Sequence, residues 1–562
     1  MITNKNSTRS KKDKKINLLL SLFYFFLFNS LLLSQSSSST ELIKDNLVSV
    51  DWLEKNLRNH EVLILDASQP QQYSLQHIPG AINVDFMSYG VKEVSKSEVE
   101  KRFQSWGISS DKKIAIYDRG TPMLATRVFF DLYYSGFPLS NLFILNGGFT
   151  KWQESGKPVT NTLSAPHEKG SFKINKLNEE IRAKLPELLT ASGDRKDNIL
   201  IEALDANWHF GEFQFFERAG HIPYGIMLPS ADFFNPDKTF KSPEEIKKIL
   251  NYFGITNQKK IYTYCGGGIA ASVPFFALKF ILDYPDVKLF RESEMGWILD
   301  ERELPVWTYD APYLMRETNW LKTWGGKMMR MYGVSKVNII DVRSADSFKQ
   351  GHIPFASNVS TDLFKKNIKN PEKLAELIGQ AGIDPSYEAV IVSGEGLNEH
   401  SALAFLMLEY LGQKKVSIFL DTNEKFAFSG TQLEKEVIGT DPKNGKEKPS
   451  IPSMVYPLNI GNEILITDPN STNGLYQKIF IESGKTVSDT KTDGKMVHVP
   501  YTDLLNADGK PKAAKEIWKV LQAAGVPRYA EIICLSDNPG EAAINYFILK
   551  LMGYPDIKVF IN

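Results

Sequence analysis

The chain has 562 residues, too many for one hydrophobic core, so its length predicts about three to five domains of ordinary size. Hydrophobic residues make up 42% of the chain and aromatic residues 12%, which is ample for packed globular domains. Lys plus Arg and Asp plus Glu number 66 each, so no net field attracts nucleic acid and we predict no nucleic-acid partner.

The N-terminal residues 1–40 differ in composition from the rest of the chain. Basic residues between Lys5 and Lys15 precede an apolar run from Ile16 to Leu33, and a serine-rich segment follows. This order indicates an export signal, although the run is also near the minimum length for a membrane span. We predict that residues 1–40 are a signal peptide or an N-terminal anchor. The body would then be periplasmic or otherwise extracytoplasmic, with possible membrane association through this segment.

The tripeptide His-Ile-Pro occurs three times, which indicates internal repetition. The copies begin at His77, His221 and His352. Each copy follows an apolar run that ends in an acid, and these runs are Leu63–Asp66, Ile199–Glu202 and Asn338–Asp341. Downstream of each copy, a further strand leads into a tight turn and an apolar helix, and a hydrophobic strand closes the unit. A repeated α/β unit is therefore expected.

A fourth unit fits the same pattern less well. Ile464–Asp468 is predicted to be its first strand, Val497–Leu504 its second segment, and Ile532–Leu535 the strand before the turn at Ser536. Strands that alternate with helices predict α/β domains, each a mainly parallel sheet flanked by helices in three layers.

Polar or proline-rich joints at residues 158–173, 303–313 and 429–457 divide these repeats. The predicted divisions are unit one at 45–160, unit two at 175–310, unit three at 313–430, a linker at 431–457 and unit four at 458–562.

The most informative stretch is Tyr264–Ser272, with the sequence YCGGGIAAS. It follows the β-prone run Lys260–Tyr264 and leads into the apolar run Val273–Phe280. Glycines let successive N–H groups turn toward the Cys265 sulfur, and the helix N-terminus adds partial positive charge, so both features favour the thiolate. A buried packing role for Cys265, or a turn that holds phosphate, remains the alternative interpretation.

Several motifs together resemble the rhodanese-type sulfurtransferases, over residues from about 45 to 562. They are the strand with a terminal acid, His77–Ala81, the strand, cysteine loop and helix around Cys265, and the Gly-Gly-Phe-x-x-Trp segment Gly147–Trp152. The resemblance implies tandem rhodanese-like domains. The nucleophile position is occupied in turn by Asp118, Cys265, Ser393 and Ser536. Because only a thiol can carry a labile sulfur, unit two is the predicted catalytic unit, and Cys534 is predicted to be a core residue.

The resemblance implies double displacement through a Cys265 persulfide. The sulfur would come from thiosulfate or 3-mercaptopyruvate and pass to cyanide or a thiol, without a metal or an organic cofactor. The implied binding groups are the backbone amides of Gly266, Gly267, Gly268, Ile269 and Ala270, the Arg218 side chain, and Asp66 and His77 of unit one.

The sulfur donor stays open at this point. The neutral Gly-Gly-Gly loop is closer to that of mercaptopyruvate enzymes, but Leu204 replaces an arginine that the resemblance would require. Units three and four are predicted to be non-catalytic, with an unknown protein partner. A non-catalytic exported scaffold or sulfur carrier is the alternative function. A phosphatase is disfavoured, because Ala270, Ala271 and Ser272 stand where such a loop ends in an arginine.

Overall fold

The computed structural model describes residues 46–86, 94–120, 123–164, 167–214, 217–435, 453–456, 458, 460–461, 463–486 and 492–561. The predicted signal or anchor segment and most of the predicted linker lie outside the described residues. Across the described ranges, no helix combines the length and the apolar character that a membrane crossing needs.

Four five-stranded sheets follow one another along the chain, and all of their strand pairs are parallel. Their strand orders are β1-β5-β4-β2-β3, β6-β10-β9-β7-β8, β11-β15-β14-β12-β13 and β16-β20-β19-β17-β18. Each sheet thus repeats one topology, with the same crossovers. This arrangement confirms the predicted α/β class with parallel sheets.

The strand bounds are as follows. Unit one has β1 (Leu47–Val48), β2 (Val62–Asp66), β3 (Ile82–Asn83), β4 (Lys113–Tyr117) and β5 (Leu142–Leu145). Unit two has β6 (Arg182–Ala183), β7 (Asn198–Glu202), β8 (Gly225–Met227), β9 (Lys260–Tyr264) and β10 (Val287–Phe290). Unit three has β11 (Met315–Arg316), β12 (Val337–Asp341), β13 (Ala356–Asn358), β14 (Glu388–Val392) and β15 (Lys415–Phe419). Unit four has β16 (Leu465–Ile466), β17 (Lys478–Glu482), β18 (Lys495–His498), β19 (Glu531–Leu535) and β20 (Ile557–Phe560).

Helices cover these sheets. Those of unit one are Val50–Asn56, Pro70–Leu75, Lys96–Ser105, Met123–Tyr134 and Gly148–Glu154. Those of unit two are Leu185–Gly193, Ala206–His209, Pro243–Tyr252, Ser272–Phe276 with a π-helical continuation over Ala277–Ile281, and Ser293–Ile298. Those of unit three are Thr318–Trp324, Lys327–Met331, Ala345–Gln350, Thr361–Lys366, Pro371–Gln380, Glu399–Tyr410 and Asn423–Phe428. Those described in unit four are Ala514–Ala523 and Pro539–Leu551.

One predicted strand of unit four needs correction. The sequence pattern predicts that Ile464–Asp468 corresponds to the acid-ended strand of the other units. In the structure, β16 (Leu465–Ile466) is the edge strand next to β20, and β17 (Lys478–Glu482) takes the place that β2 holds in unit one. Both runs are apolar and end near an acid, so only their positions in the sheet separate them. The core position predicted for Cys534 is confirmed, since it is fully buried in β19 and burial raises the pKa of its thiol.

The units associate in pairs. Units one and two share one hydrophobic core, in which Phe129 packs edge-on against Phe276 with ring centroids 5.0 Å apart. The helices Glu399–Tyr410 and Pro539–Leu551 join units three and four in the same way, with Phe405 edge-on against Phe547 at 5.0 Å. The helix after the turn therefore buries its face against the matching helix of the neighbouring unit.

The two pairs also contact each other. Phe210 of unit two is 1% exposed and lies 5.6 Å, centroid to centroid, from the Trp518 ring of unit four. The Tyr252 hydroxyl donates to the Ala530 carbonyl at 2.9 Å. Buried aromatic contacts and a buried hydrogen bond thus fix unit four against unit two.

Candidate active site

Cys265 directly follows Tyr264, the last residue of β9, at the carboxyl end of the second sheet. Ligand sites of parallel α/β sheets form at this edge. The strand is buried at every position after Lys260 because its aromatic and β-branched side chains are covered on both faces. Cys265 is 2% exposed.

The Gly268 amide donates to Cys265 Sγ at 3.1 Å, which closes a tight turn over the sulfur. Gly268 has φ +78°, and a Cβ at this position would lie 2.2 Å from the Arg291 carbonyl oxygen. A side chain is therefore excluded by both backbone conformation and space. This glycine is what lets an N–H group face the thiol.

Four other amides were predicted to face the same sulfur. Among the described contacts, Gly268 is the one amide that donates to Sγ. The chain then begins its helix, because the carbonyls of Ile269 and Ala270 accept from the amides of Ser272 and Val273 at 3.0 and 3.1 Å. A role for the amides of Gly266, Gly267, Ile269 and Ala270 toward a persulfide sulfur stays a prediction.

The segment after β10 holds the loop in place. The Cys265 amide donates to Ser293 Oγ at 3.1 Å, and the Ser293 hydroxyl donates to the Phe290 carbonyl at 2.8 Å. The amides of Glu294 and Met295 donate to the carbonyls of Cys265 and Gly266 at 2.9 and 3.0 Å. Three of these hydrogen bonds thus fix the backbone of Cys265 and Gly266, and the fourth holds Ser293 in place.

Unit one braces the loop from the other side. Arg127 is fully buried, and its Nη1 donates to the Gly268 carbonyl at 2.9 Å. Its Nε lies 3.2 Å from Asp131, which balances the buried charge. Thr126 and Ser272 share a hydroxyl hydrogen bond of 2.7 Å. The position of the Cys265 loop therefore depends on both unit one and unit two.

Two buried carboxyl groups lie beside the thiol. Burial raises the pKa of Glu202 well above its usual range, and the charges of Glu294 and Cys265 add to the rise. Burial likewise raises the pKa of Glu294 to about 7, and a hydrogen bond between the two side chains partly offsets it. Two buried carboxyl groups that share a hydrogen bond cannot both ionise cheaply, so the pair holds a proton at neutral pH.

A hydrogen-bonded chain continues from this pair. His209 contacts Glu202 through Nδ1 and Asp310 through Nε2, the latter at 3.1 Å. Burial would raise the pKa of Asp310, but the nearby His209 and Arg528 outweigh it and lower that pKa. Asp310 is therefore the ionised end of the chain and Glu202 the protonated end.

Glu202, His209 and His221 bring potential metal-ligating atoms within 4.8 Å of one another. Both His209 nitrogens already face carboxylates, however, and its ring stacks on that of His221 at 3.7 Å with an angle of 3° between the planes. Burial, with a contribution from His209, lowers the pKa of His221 to about 3, so its ring is neutral. Parallel stacked rings direct their lone pairs side by side rather than toward one centre. We assign these residues to the hydrogen-bonded chain.

For three other predicted site residues, the structure gives hydrogen bonds outside the Cys265 loop, and their roles in binding stay predictions. Asp66 accepts from the Ser68 amide at 2.8 Å, and His77 Nδ1 lies 2.8 Å from the Tyr73 carbonyl. No described hydrogen bond or ion pair joins Asp66 or His77 to the Cys265 loop. Arg218 donates to the carbonyls of Leu304 and Ile298 at 2.6 and 2.8 Å. These contacts join Arg218 to the C-terminal part of unit two, and its predicted role in substrate binding stays a prediction.

The other turns show what replaces a thiol. Asp118 of unit one accepts from the amides of Leu124 and Ala125 at 2.9 Å each, and burial raises its pKa to about 7. The Ser393 hydroxyl donates to the Gly396 carbonyl at 2.7 Å, and the Ser536 hydroxyl donates to the Glu541 carboxylate at 2.6 Å. In each of these turns the side chain that replaces cysteine forms local hydrogen bonds.

Sequence reasoning missed Arg127, Ser293 and Glu294. Alignment of units one and two places Ser293 opposite Gly148, so the sequence contains a signal for Ser293. In the structure both residues have a left-handed backbone, with φ 51° and 54°. A serine in the left-handed region is uncommon and is often found at functional sites. Arg127 carries no such signal, since it belongs to a different unit from the cysteine.

Comparison with known proteins agrees with this architecture. The model of the Rhodanese-like domain family matches residues 49–155 and 326–423, in units one and three. A sulfur carrier protein of Thermus thermophilus, TtuD, is 31% identical over 267 residues, which are 45% of this chain and 93% of that protein. A candidate thiosulfate sulfurtransferase of Saccharopolyspora erythraea is 28% identical over 262 residues, 44% of this chain and 91% of its own length. The chain belongs to the rhodanese-type sulfurtransferase family.

A solved structure is also similar. The 3-mercaptopyruvate sulfotransferase SseA of Escherichia coli aligns at 26% identity with a TM-score of 0.40, over 44% of this chain and 98% of its own.

Proposed function

We propose that the protein is an exported sulfurtransferase that carries a sulfane sulfur on Cys265. The observation that carries the proposal is the Gly268 amide 3.1 Å from Sγ, in a loop whose backbone is fixed on both sides. An N–H group aimed at sulfur stabilises negative charge on the thiolate and on a persulfide derived from it. Of the four turns, this is the one with a thiol.

In the first half-reaction, the Cys265 thiolate attacks the outer sulfur of the donor, and a new S–S bond forms. With thiosulfate, the donor's S–S bond breaks and sulfite leaves with the electron pair. With 3-mercaptopyruvate, the C–S bond breaks and the pyruvate enolate leaves and takes up a proton. The pair Glu202 and Glu294 holds a proton close to the cysteine.

In the second half-reaction, cyanide or a thiolate attacks the outer sulfur of the persulfide. The S–S bond to Cys265 breaks, and the thiolate is restored with its electron pair. No redox partner is needed, because the electrons of the broken and formed bonds balance within each step.

The donor is tested by a side-by-side assay. The purified protein is supplied with thiosulfate or with 3-mercaptopyruvate, and thiocyanate is measured after addition of cyanide. We expect turnover with at least one donor in the wild type and none with Cys265→Ala. Wild-type turnover equal to that of Cys265→Ala would contradict the proposal.

A second candidate is a sulfur carrier, which would pass its sulfur to a partner protein rather than to a small acceptor. The similarity to the sulfur carrier TtuD favours this candidate. A carrier would acquire the persulfide from a donor but form thiocyanate slowly, so the ratio of persulfide loading to thiocyanate turnover separates the two functions.

A further inference from the structure

A cavity of about 390 Å³ lies between unit two and unit four. It borders Asn198, the first residue of β7, whereas Cys265 follows the last residue of the parallel neighbour β9. The cavity therefore reaches the amino end of β7, whereas the thiol lies at the carboxyl end of the second sheet. The volume is in the range of small-ligand sites. Its lining includes the polar and charged side chains of Arg195, Tyr224, Asp310, Arg528, Lys550 and Tyr554.

Two arginines line this cavity, one from each unit. The Arg195 guanidinium lies over the ring of Tyr224, 4.6 Å from its centroid, and the Arg528 guanidinium lies over those of Phe253 and Tyr554, at 5.0 and 5.4 Å. Aromatic faces hold a guanidinium in place without neutralising it.

Neither arginine has a carboxylate partner among the described ion pairs, whereas the cavity's Lys550 is paired with Glu409 at 2.9 Å. The cavity thus contains two oriented guanidinium groups without an ion-pair partner, and Asp310 is the one carboxylate among its lining residues. Guanidinium forks match the geometry of carboxylate and phosphate oxygens.

Buried polar atoms at the cavity lack partners. Within the described chain, Arg528 Nε, the Tyr554 hydroxyl and Asp310 Oδ2 make no hydrogen bond. Tyr554 is only 3% exposed. Buried polar groups are normally paired, so two donors and one acceptor here are available to a ligand.

We propose that this cavity binds a small organic dianion that also carries a hydroxyl group. The two guanidinium groups account for two negative charges, and the hydroxyl would donate to Asp310 Oδ2. Phosphate esters of polyols and hydroxydicarboxylates share this chemistry. The site lies apart from the Cys265 loop, although Asp310 connects it through His209 to Glu202 beside the thiol, and it gives unit four a binding role.

The test is isothermal titration calorimetry on the full chain, with glycerol 3-phosphate and L-malate as probes and sodium acetate at matched ionic strength as the monoanion control. We expect one-site binding of at least one dianion, with Kd at or below about 1 mM. Binding of only one probe would support the proposal and identify the anionic group. Arg195→Gln and Tyr554→Phe should each raise Kd about tenfold.

Lys196→Gln is the matched control, because Lys196 is an exposed cation next to Arg195 that does not line the cavity. Its Kd should stay within about twofold of the wild type. The proposal is overturned if neither dianion binds up to about 10 mM, if acetate binds equally well, or if Arg195→Gln behaves like Lys196→Gln. Loss of binding in Cys265→Ala would place the anion at the thiol loop and overturn it as well.

Discussion

At the scale of single residues, Gly268 is a position of the thiol loop that tolerates no side chain. Its left-handed backbone and its close approach to the Arg291 carbonyl leave no room for Cβ. Gly268→Ala should lower the rate of persulfide formation about 100-fold, because the amide would turn away from Sγ. Stopped-flow mixing with the sulfur donor measures this rate.

Gly156→Ala is the control for backbone strain. Gly156 has φ +67°, but no atom lies within 4 Å of the position that a Cβ would take, so this variant tests conformation without crowding. It should cost about 1 kcal/mol of stability and leave the persulfide rate unchanged. Equal rate losses in the two variants would contradict the role assigned to the Gly268 amide.

The buried carboxyl Glu294 gives stability a pH dependence. Its pKa is raised to about 7 in the folded chain, so between about pH 4.5 and 7 the folded state binds more protons than the unfolded state. Stability should therefore fall as pH rises through this window, by up to about 1.4 kcal/mol per pH unit for one retained proton. Urea unfolding at several pH values measures this slope.

Glu294→Gln removes the titrating group but keeps the shape of the side chain. We expect a shallower fall of stability between about pH 4.5 and 7 in this variant, with Asp118 and Glu202 supplying what remains. An unchanged slope would show that Glu294 does not hold its proton in the folded state.

At the scale of secondary-structure elements, the helix Met123–Tyr134 supports the loop of the neighbouring unit through Arg127. One guanidinium reaches both the Gly268 carbonyl and Asp131, which a lysine ammonium could not do with the same geometry. Arg127→Lys should cost about 1–3 kcal/mol of stability and lower kcat more than it raises KM. Urea denaturation and steady-state kinetics provide both readouts.

The exposed Arg302 provides a control for the same substitution. It forms two hydrogen bonds with Asp300, at 2.6 and 2.9 Å, but its side chain is 58% exposed. Arg302→Lys should leave the urea midpoint and the turnover close to those of the wild type. If Arg127→Lys were equally mild, unit one would not be a structural part of the site.

The sequence predicts the central strands well because they are continuous apolar runs that end in an acid or a turn. Two-residue edge strands such as Leu47–Val48 carry no periodic signal and were not predicted. In unit four, Ile464–Asp468 and Lys478–Glu482 have similar patterns. Ile464–Asp468 was given the place in the sheet that Lys478–Glu482 occupies, because sheet order is a property of the tertiary fold.

Only the local part of the candidate site was predicted, because the rest also depends on the tertiary fold. Cys265 and its glycine loop form one local segment, so their residue types indicate their chemistry. Arg127 approaches the loop only through the packing of two units, and Glu294 only through the turn after β10. Local patterns in a sequence do not show which distant side chains meet.

At the scale of the whole molecule, Phe210 joins the two pairs of units. It is buried in a core that unit two shares with units three and four. Phe210→Ala should cost about 3–5 kcal/mol in the first unfolding transition in urea, because a buried ring is lost at this junction.

Phe213 is the matched control. It belongs to the same segment but is 48% exposed, so Phe213→Ala should cost less than about 1 kcal/mol. Equal urea midpoints for the two variants would mean that the contact between the two pairs of units does not stabilise the part that unfolds first.

The central claim is that the thiol of Cys265 carries the sulfur that the protein transfers. Peptide mass spectrometry after incubation with thiosulfate or 3-mercaptopyruvate tests it most directly. We predict the mass of one added sulfur on the peptide with Cys265, its loss as thiocyanate after addition of cyanide, and no added sulfur on the buried Cys534. No added sulfur on Cys265 with either donor would contradict the account.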